Sequence, residues 1–166
     1  MSLTLSQAAR DRIAEVTAHY PPENKRAALL PILHIVQEEK GCVPEDFEEE
    51  IAAMVGVPVV KVKEVLSFYT WFRQKPTGKH HFQVCRTISC TLRGHREIMA
   101  YLEKKLGIKE GETTADGKYS LTAVECLASC ETAPMMQLNE KYVDYLTPEK
   151  IDQILGELNH GSNETS

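Results

Sequence analysis

The chain has 166 residues, enough for one domain or two small ones. Hydrophobic residues make up 42%, charged residues 26%, and the formal net charge is −5, as in ordinary soluble globular proteins. No block of Lys or Arg suggests nucleic-acid binding, and no apolar run approaches the ~18 residues that a membrane span needs. Since the N-terminal sequence has charges where a signal peptide has its apolar core, we expect a cytoplasmic protein without direct membrane insertion.

Residues 1–78 predict a small helical bundle and a linker. Apolar residues recur at helical spacing in about four segments, and Pro44 and Pro58 suit the first turns of two of them. Pro31 lies inside another helical run and is expected to kink or divide it. Pro76 and Gly78 mark the linker.

An aromatic stretch ends this helical half. The segment "VLSFYTWF" contains four aromatic side chains, namely Phe68, Tyr69, Trp71 and Phe72. Aromatic residues at helical spacing pack into a core, but they are also enriched where protein partners meet. Both roles remain open from the sequence.

Residues 79–160 predict a second domain with the order β-α-β-β-β-α. Alternating apolar residues in "KHHFQVC" and "SLTAVEC" predict two strands, and the helix predicted between them over "TLRGHREIMAYLEKKLGI" implies a parallel crossover. A hairpin around Asn139 and Glu140 and a closing helix capped by Thr147 complete the domain. The fold class is therefore mixed α and β, and the order resembles the thioredoxin fold. The polar tail, residues 161–166, is predicted to be disordered.

Four of the five cysteines form two pairs, and each pair follows a predicted strand. Cys85 and Cys90 have four residues between them, and Cys126 and Cys130 have three. On a thioredoxin-like sheet the two loops that carry them could meet at one edge, where four thiolates would converge. Because structural disulfides are rare in the cytoplasm, these thiols suggest metal or redox chemistry.

Several kinds of site compete for these thiols. Structural zinc sites use tighter pairs such as C-x2-C, and a thioredoxin-type redox site needs a C-x-x-C motif that is absent. A 2Fe–2S cluster has two irons, and each needs two protein thiolates beside the bridging sulfides. The spacing favours this cluster, while zinc and unrelated thiols remain alternatives.

The motifs "CRTISC", "GKYSLTAVECLASCETAPMMQLN", "ILHIVQEEKGCVP" and "VLSFYTWF" resemble the small thioredoxin-like 2Fe–2S subunit of bacterial NADH:quinone oxidoreductase (respiratory complex I). The resemblance runs from about Leu29 to Leu158. It implies a helical N-terminal domain and a thioredoxin-like domain that holds one 2Fe–2S cluster. The ligands that it implies are Cys85, Cys90, Cys126 and Cys130.

The same resemblance implies a division of roles. NADH and FMN are expected on a flavoprotein partner subunit, since this chain has no G-x-G-x-x-G motif, and the chain alone is not expected to oxidise NADH. A larger respiratory complex would hold the chain peripherally at the inner membrane. Equivalent subunits of NAD-linked hydrogenases and formate dehydrogenases are the alternative. A zinc-stabilised adaptor and a thiol oxidoreductase are rival classes.

Three further residues carry expectations. Cys42 has no neighbouring thiol in the sequence and is expected to pack. The family pattern often has Gly where Ala128 stands, and Ala tolerates a positive φ less well. His95 follows Cys90 in a predicted helix and could approach a cluster, although four cysteines already suffice as ligands.

Overall fold

The computed structural model describes residues 5–160, which form two compact units with a boundary between Pro76 and Thr77. The division predicted after residue 78 lies in the same Pro- and Gly-containing segment. Each unit has its own hydrophobic core. The tail predicted to be disordered lies outside the described residues.

The first unit is helical. Its α-helices are α1 (Gln7–Ala18), α2 (Leu29–Lys40), α3 (Glu48–Val55) and α4 (Val59–Phe68), with short 3₁₀ helices at Pro22–Ala28 and Glu45–Phe47. Their apolar faces meet in one core, where Ile32, Leu33, Val36 and Ile51 are fully buried. The predicted small bundle therefore forms from amphipathic segments.

The prolines of this unit lie close to helix starts. Pro44 and Pro58 are N-cap residues with extended backbone, so the predicted first-turn position is wrong by one residue. Pro31 is the third residue of α2, where its missing N–H would have no helical partner in any case. The helical run is divided as expected, but the division falls before Leu29, where the 3₁₀ helix ends.

The second unit contains a four-stranded mixed sheet in the order β2-β1-β3-β4. The strands are β1 (His80–Cys85), β2 (Tyr119–Val124), β3 (Met136–Leu138) and β4 (Lys141–Val143). β1 pairs parallel with β2 and antiparallel with β3, and β3 and β4 form the predicted hairpin. The outer edge of β2 is also paired: Leu121 accepts a hydrogen bond from the N–H of Gly111 and donates one to the carbonyl of Glu112.

Three α-helices accompany the sheet. They are α5 (Ile88–Leu92), α6 (His95–Leu106) and α7 (Pro148–His160). The sequence predicts one helix over residues 91–108, which includes only the end of α5, but Gly94 has φ +100° and separates α5 from α6. A residue in this left-handed conformation ends a right-handed helix, and Gly adopts it without a Cβ penalty. The hydroxyl of Thr147 accepts from the N–H of Lys150 and caps α7, as predicted.

The parallel pairing of β1 and β2 brings the carboxyl ends of both strands to the same edge of the sheet. β1 and β2 run parallel, with Cys85 paired to Val124 at their carboxyl ends, so the loops that follow both strands begin side by side. Among residues 5–160, none of the helices is both long enough and apolar enough to cross a membrane.

Candidate metal centre

The structure brings the four predicted cysteines to this edge. Cys85 ends β1, and Cys90 lies in α5; we call these two the inner pair. Cys126 lies two residues after β2, and Cys130 begins a 3₁₀ helix; these two are the outer pair. The thiols of Cys85 and Cys90 both lie within electrostatic range of Cys130, so the two pairs adjoin each other.

The two thiols of the outer pair have the spacing of metal ligands. Their sulfur atoms lie 3.7 Å apart. Two thiolates on one tetrahedral metal, each with a bond of about 2.3 Å, have sulfur atoms about 3.8 Å apart. The spacing is far longer than the ~2.05 Å of a disulfide bond. The outer pair can therefore hold one metal ion without rearrangement.

The pairs differ in their exposure. Cys85 and Cys90 are 3% and 1% exposed and belong to a small apolar cluster with Ala133 and Met135. Leu127 from the second loop packs against this cluster. Cys126 and Cys130 are exposed. The centre therefore has one side inside the protein and one side open to solvent.

Hydrogen bonds reach all four sulfur atoms. The hydroxyl of Thr87 lies 3.2 Å from Cys85 Sγ, and the N–H groups of Thr87 and Leu127 also donate to this sulfur. The N–H of Met135 donates to Cys90. In the outer pair, Cys126 accepts the N–H of Ala128 at 3.3 Å, and the hydroxyl of Ser89 lies within hydrogen-bonding range of Cys130. Such donors orient thiolate ligands and stabilise their negative charge.

The pKa values of the thiols reflect these surroundings. Burial acts to raise the pKa of Cys85, but the hydrogen bonds from Thr87, Leu127 and Cys90 outweigh it, so this pKa lies below its usual value. Burial raises the pKa of Cys90 to about 11, with the nearby Cys85 and Cys130 adding to the effect. The hydrogen bond with Cys126 raises the pKa of Cys130. Cys85 is thus the thiol of the inner pair that ionises first.

The loop of the outer pair contains a strained residue. Ala128 has φ +63°, in the left-handed region that favours Gly. This conformation directs its N–H to the sulfur of Cys126. The left-handed backbone gives the physical reason why a Gly would suit this position, as the family pattern suggested.

Two polar contacts flank the centre. Arg86 donates two hydrogen bonds to Glu125, at 3.0 and 2.7 Å, and so joins the residue after Cys85 to the residue before Cys126. The ring of His95 lies close to the backbone carbonyl of Cys85, beside the inner pair, as the sequence suggested. Its Nδ1 is buried without a hydrogen-bond partner among the described residues.

The remaining thiol lies elsewhere. Cys42 is buried in the first unit, and burial raises its pKa. Within residues 5–160, no set of three or more His, Cys, Asp or Glu side chains is arranged around the position of a single metal ion.

A sequence model of one protein family, the thioredoxin-like [2Fe-2S] ferredoxins, matches residues 13–159. The chain belongs to this family. A 2Fe–2S cluster is accordingly its cofactor, and the donor set at the sheet edge fits that group, because two pairs of thiols could supply two ligands to each iron.

Two relatives match this family member over nearly their whole length. NADH-quinone oxidoreductase subunit 2 of Thermus thermophilus is 46% identical over 153 residues, which cover 92% of this chain and 84% of the relative. One NADH-quinone oxidoreductase subunit of Rickettsia bellii is 45% identical over 145 residues, which cover 87% of each chain.

A solved structure has a similar fold. An NAD+-reducing [NiFe]-hydrogenase in the air-oxidised state superposes with a TM-score of 0.68 over 80% of this chain and 23% of its own. The sequence identity is 20%, so this likeness concerns the fold alone.

Sequence reasoning missed the hydroxyl groups of this ferredoxin-family site. Thr87 and Ser89 lie inside "CRTISC", between the cysteines of the inner pair, and their hydroxyls contact Cys85 and Cys130. Their position between two cysteines is a signal that could have drawn attention to them. Met135, buried beneath the inner pair, has no comparable signal in the sequence.

Proposed function

We propose that this chain is the one-electron carrier that brings a 2Fe–2S cluster to an NADH-quinone oxidoreductase. The observation that carries the proposal is the meeting of four thiols at one sheet edge in a chain that is 45–46% identical to subunits of such enzymes. An equivalent role in a hydrogenase has weaker support, since that likeness has 20% identity.

The ligand set is part of the proposal. The inner pair, Cys85 and Cys90, would hold one iron, and the outer pair, Cys126 and Cys130, would hold the other. The sulfur separation of 3.7 Å in the outer pair and the hydrogen bonds to every sulfur support this division. Cys42 belongs to the other compact unit, and this supports its exclusion from the ligand set.

The protein's own groups define how such a cluster would work. When bound, the cluster takes up and releases one electron at a time. Met135 and Leu127 exclude water from the inner pair, while the exposed outer pair leaves a short path to the protein surface. A one-electron centre cannot accept a hydride, so NADH and FMN are assigned to a flavoprotein partner that divides the hydride's two electrons.

Exposed apolar side chains support a partner of this kind. Ile88 and Leu92, on α5 beside Cys90, are 76% and 79% exposed, and we propose that the flavoprotein covers them. In the helical unit Phe72 is buried, but Phe68, Tyr69 and Trp71 are exposed, so most of the aromatic stretch is available for docking. Through this partner the chain would belong to a complex attached to the inner membrane from the cytoplasm.

The cofactor assignment is tested on anaerobically purified chain. Iron and labile sulfide should each be present at about two per chain, and dithionite reduction should give the electron paramagnetic resonance signal of one unpaired electron. Stoichiometric zinc without sulfide would contradict the proposal and favour the adaptor.

The division of roles is tested with the flavoprotein. The chain alone should not reduce ferricyanide with NADH, whereas the chain mixed with the flavoprotein should be reduced by NADH. Calorimetry should show weaker flavoprotein binding for Ile88→Ser and for Phe68→Ser, while Tyr142→Ser, an equally drastic change on the β3–β4 hairpin, should bind as the wild type does. Undiminished binding of both test variants would exclude these surfaces.

A further inference from the structure

Thr87 lies where a helix-capping residue is expected but makes a different contact. It is the N-cap of α5, and its side chain makes no capping hydrogen bond. Thr at this position commonly accepts from a backbone N–H of the first helical turn. Here the hydroxyl lies 3.2 Å from Cys85 Sγ instead. The side chain of Thr87 therefore does not cap α5, and its hydroxyl contacts the sulfur of Cys85, a proposed ligand.

Metal binding fixes the direction of this hydrogen bond. Either a thiol or a hydroxyl can donate, so the free protein allows both arrangements. A thiolate bound to iron has no proton and can only accept. With Cys85 as a ligand, the hydroxyl of Thr87 must donate to its sulfur.

A second hydroxyl serves the other pair. Ser89, two residues further along in α5, lies within hydrogen-bonding range of Cys130, which belongs to the loop region after β2. Each cysteine pair thus accepts one side-chain hydroxyl, and both hydroxyls come from the short segment between Cys85 and Cys90.

We propose that Thr87 and Ser89 set the reduction potential of the cluster, by donating hydroxyl hydrogen bonds to one ligand sulfur of each iron. They act through the thiolates and are positioning residues. The inference rests on the proposed ligand set.

The direction of the effect follows from charge. The oxidised centre with four thiolates carries a charge of about −2, and reduction adds one electron without a proton. A donor to sulfur stabilises the more negative state more strongly, so each hydroxyl raises the potential. Glu125 pairs with Arg86 at the same edge, so the charges of this pair largely cancel.

The two hydroxyls should differ in strength. The bond to Cys85 lies at a residue that is 3% exposed, where the local dielectric is low and a hydrogen bond is strong. Cys130 is exposed, and water can replace a lost donor there. Thr87 should therefore affect the potential more than Ser89 does.

The test is a redox titration of the loaded full-length chain, followed by visible absorption and electron paramagnetic resonance. In Thr87→Val, which keeps the shape and removes the hydroxyl, the ratio of reduced to oxidised cluster at a fixed potential should fall by about three- to tenfold. Ser89→Ala should lower it by about two- to threefold, and Thr87→Ser, which keeps the hydroxyl, should restore the wild-type value.

Thr91→Val is the matched control. Its hydroxyl is in the same helix but donates to the carbonyl of Arg86, at 2.9 Å, so its loss should not move the potential. An unchanged potential in both Thr87→Val and Ser89→Ala, with normal spectra, would overturn the inference and leave the ligand set intact.

Two further results would also decide against it. Equal shifts in Thr91→Val and Thr87→Val would show that any change in α5 acts in the same way. If Thr87→Val reduces the loading of iron and sulfide, Thr87→Ala, which removes bulk as well as the hydroxyl, replaces it with the same expected change in potential.

A wild-type chain that binds no iron and sulfide would overturn both the ligand set and this inference.

Discussion

The inner and outer cysteine pairs are alike in sequence spacing but are held in different ways. The inner pair lies at the end of a central strand and in a helix, with both thiols buried. The outer pair lies in an irregular loop that contains a residue with positive φ, and both thiols are exposed. The regular, buried side fixes where the centre lies, whereas the exposed side leaves it open to electron exchange.

The largest effects should come from replacing the proposed ligands, and these variants test the difference between the two pairs. Cys90→Ala and Cys126→Ala should both abolish the visible absorption of the cluster. Only Cys90→Ala should also lower the stability of the cluster-free chain, by about 1 kcal/mol, because it leaves a buried space. Spectroscopy and urea unfolding measure the two effects.

Cys42→Ala is the control for this comparison. Cys42 is as buried as the inner pair but belongs to the first unit, so its variant should keep the full spectrum. Equal loss of iron in the Cys42 and Cys126 variants would show that the ligand set is wrong.

A second test addresses the packing beneath the inner pair. Met135→Ala should lower the free energy of unfolding by about 2–5 kcal/mol, since the side chain is 1% exposed and its removal leaves a cavity. Met135→Leu conserves volume and should cost less than about 1.5 kcal/mol. Urea unfolding gives both values. Equal losses in the two variants would mean that the packing does not depend on the volume of this side chain.

A third test addresses the strain of the outer loop. Ala128→Gly should raise the free energy of unfolding by about 0.5–1 kcal/mol, because Gly adopts φ +63° without a Cβ penalty. Ala100→Gly, at an exposed position of α6, should lower it by about the same amount. Thermal unfolding distinguishes the signs, and a destabilised Ala128→Gly variant would show that the loop is not strained.

The smallest expected effect concerns the other end of β1, far along the strand from Cys85. Burial lowers the pKa of His80, and the charges of Lys79 and Lys118 add to this. Above pH ~6.5 the histidine is neutral in both the folded and the unfolded chain. As the pH falls below that value, the unfolded chain takes up the proton more readily, so folding stability decreases.

Urea unfolding at several pH values between 7.5 and 5 measures this decrease. His80→Gln should remove part of it, whereas His19→Gln, at an exposed position of the first unit, should leave it unchanged. The same pH dependence in wild type and His80→Gln would exclude His80 as a source of the acid sensitivity.

Much of the fold was predictable because its signals are local. Alternating apolar residues located β1 and β2, and the order of strands and helices in the second unit is confirmed. The break at Gly94 was missed, since a single Gly inside a helical pattern is tolerated and only the tertiary structure shows its left-handed backbone.

For the candidate site, the position of the cysteines was predictable from the sequence, but the hydrogen bonds around them were not. The spacing of the cysteines and their position after parallel strands located the sheet edge. The targets of the Thr87 and Ser89 hydroxyls were not predictable, because they depend on side-chain rotamers and on a loop that is distant in sequence. The sequence also does not show that Met135 packs beside the inner pair whereas its neighbour Met136 packs in the main core of the second unit.

The pairing of the outer edge of β2 has a consequence for the chain before assembly. An open edge strand offers unpaired N–H and C=O groups to which another chain can add a strand. Leu121 instead exchanges hydrogen bonds with Gly111 and Glu112, and β4, at the opposite edge, is only three residues long. An unassembled copy of the chain therefore offers little free strand edge at which its sheet could act as a template for aggregation.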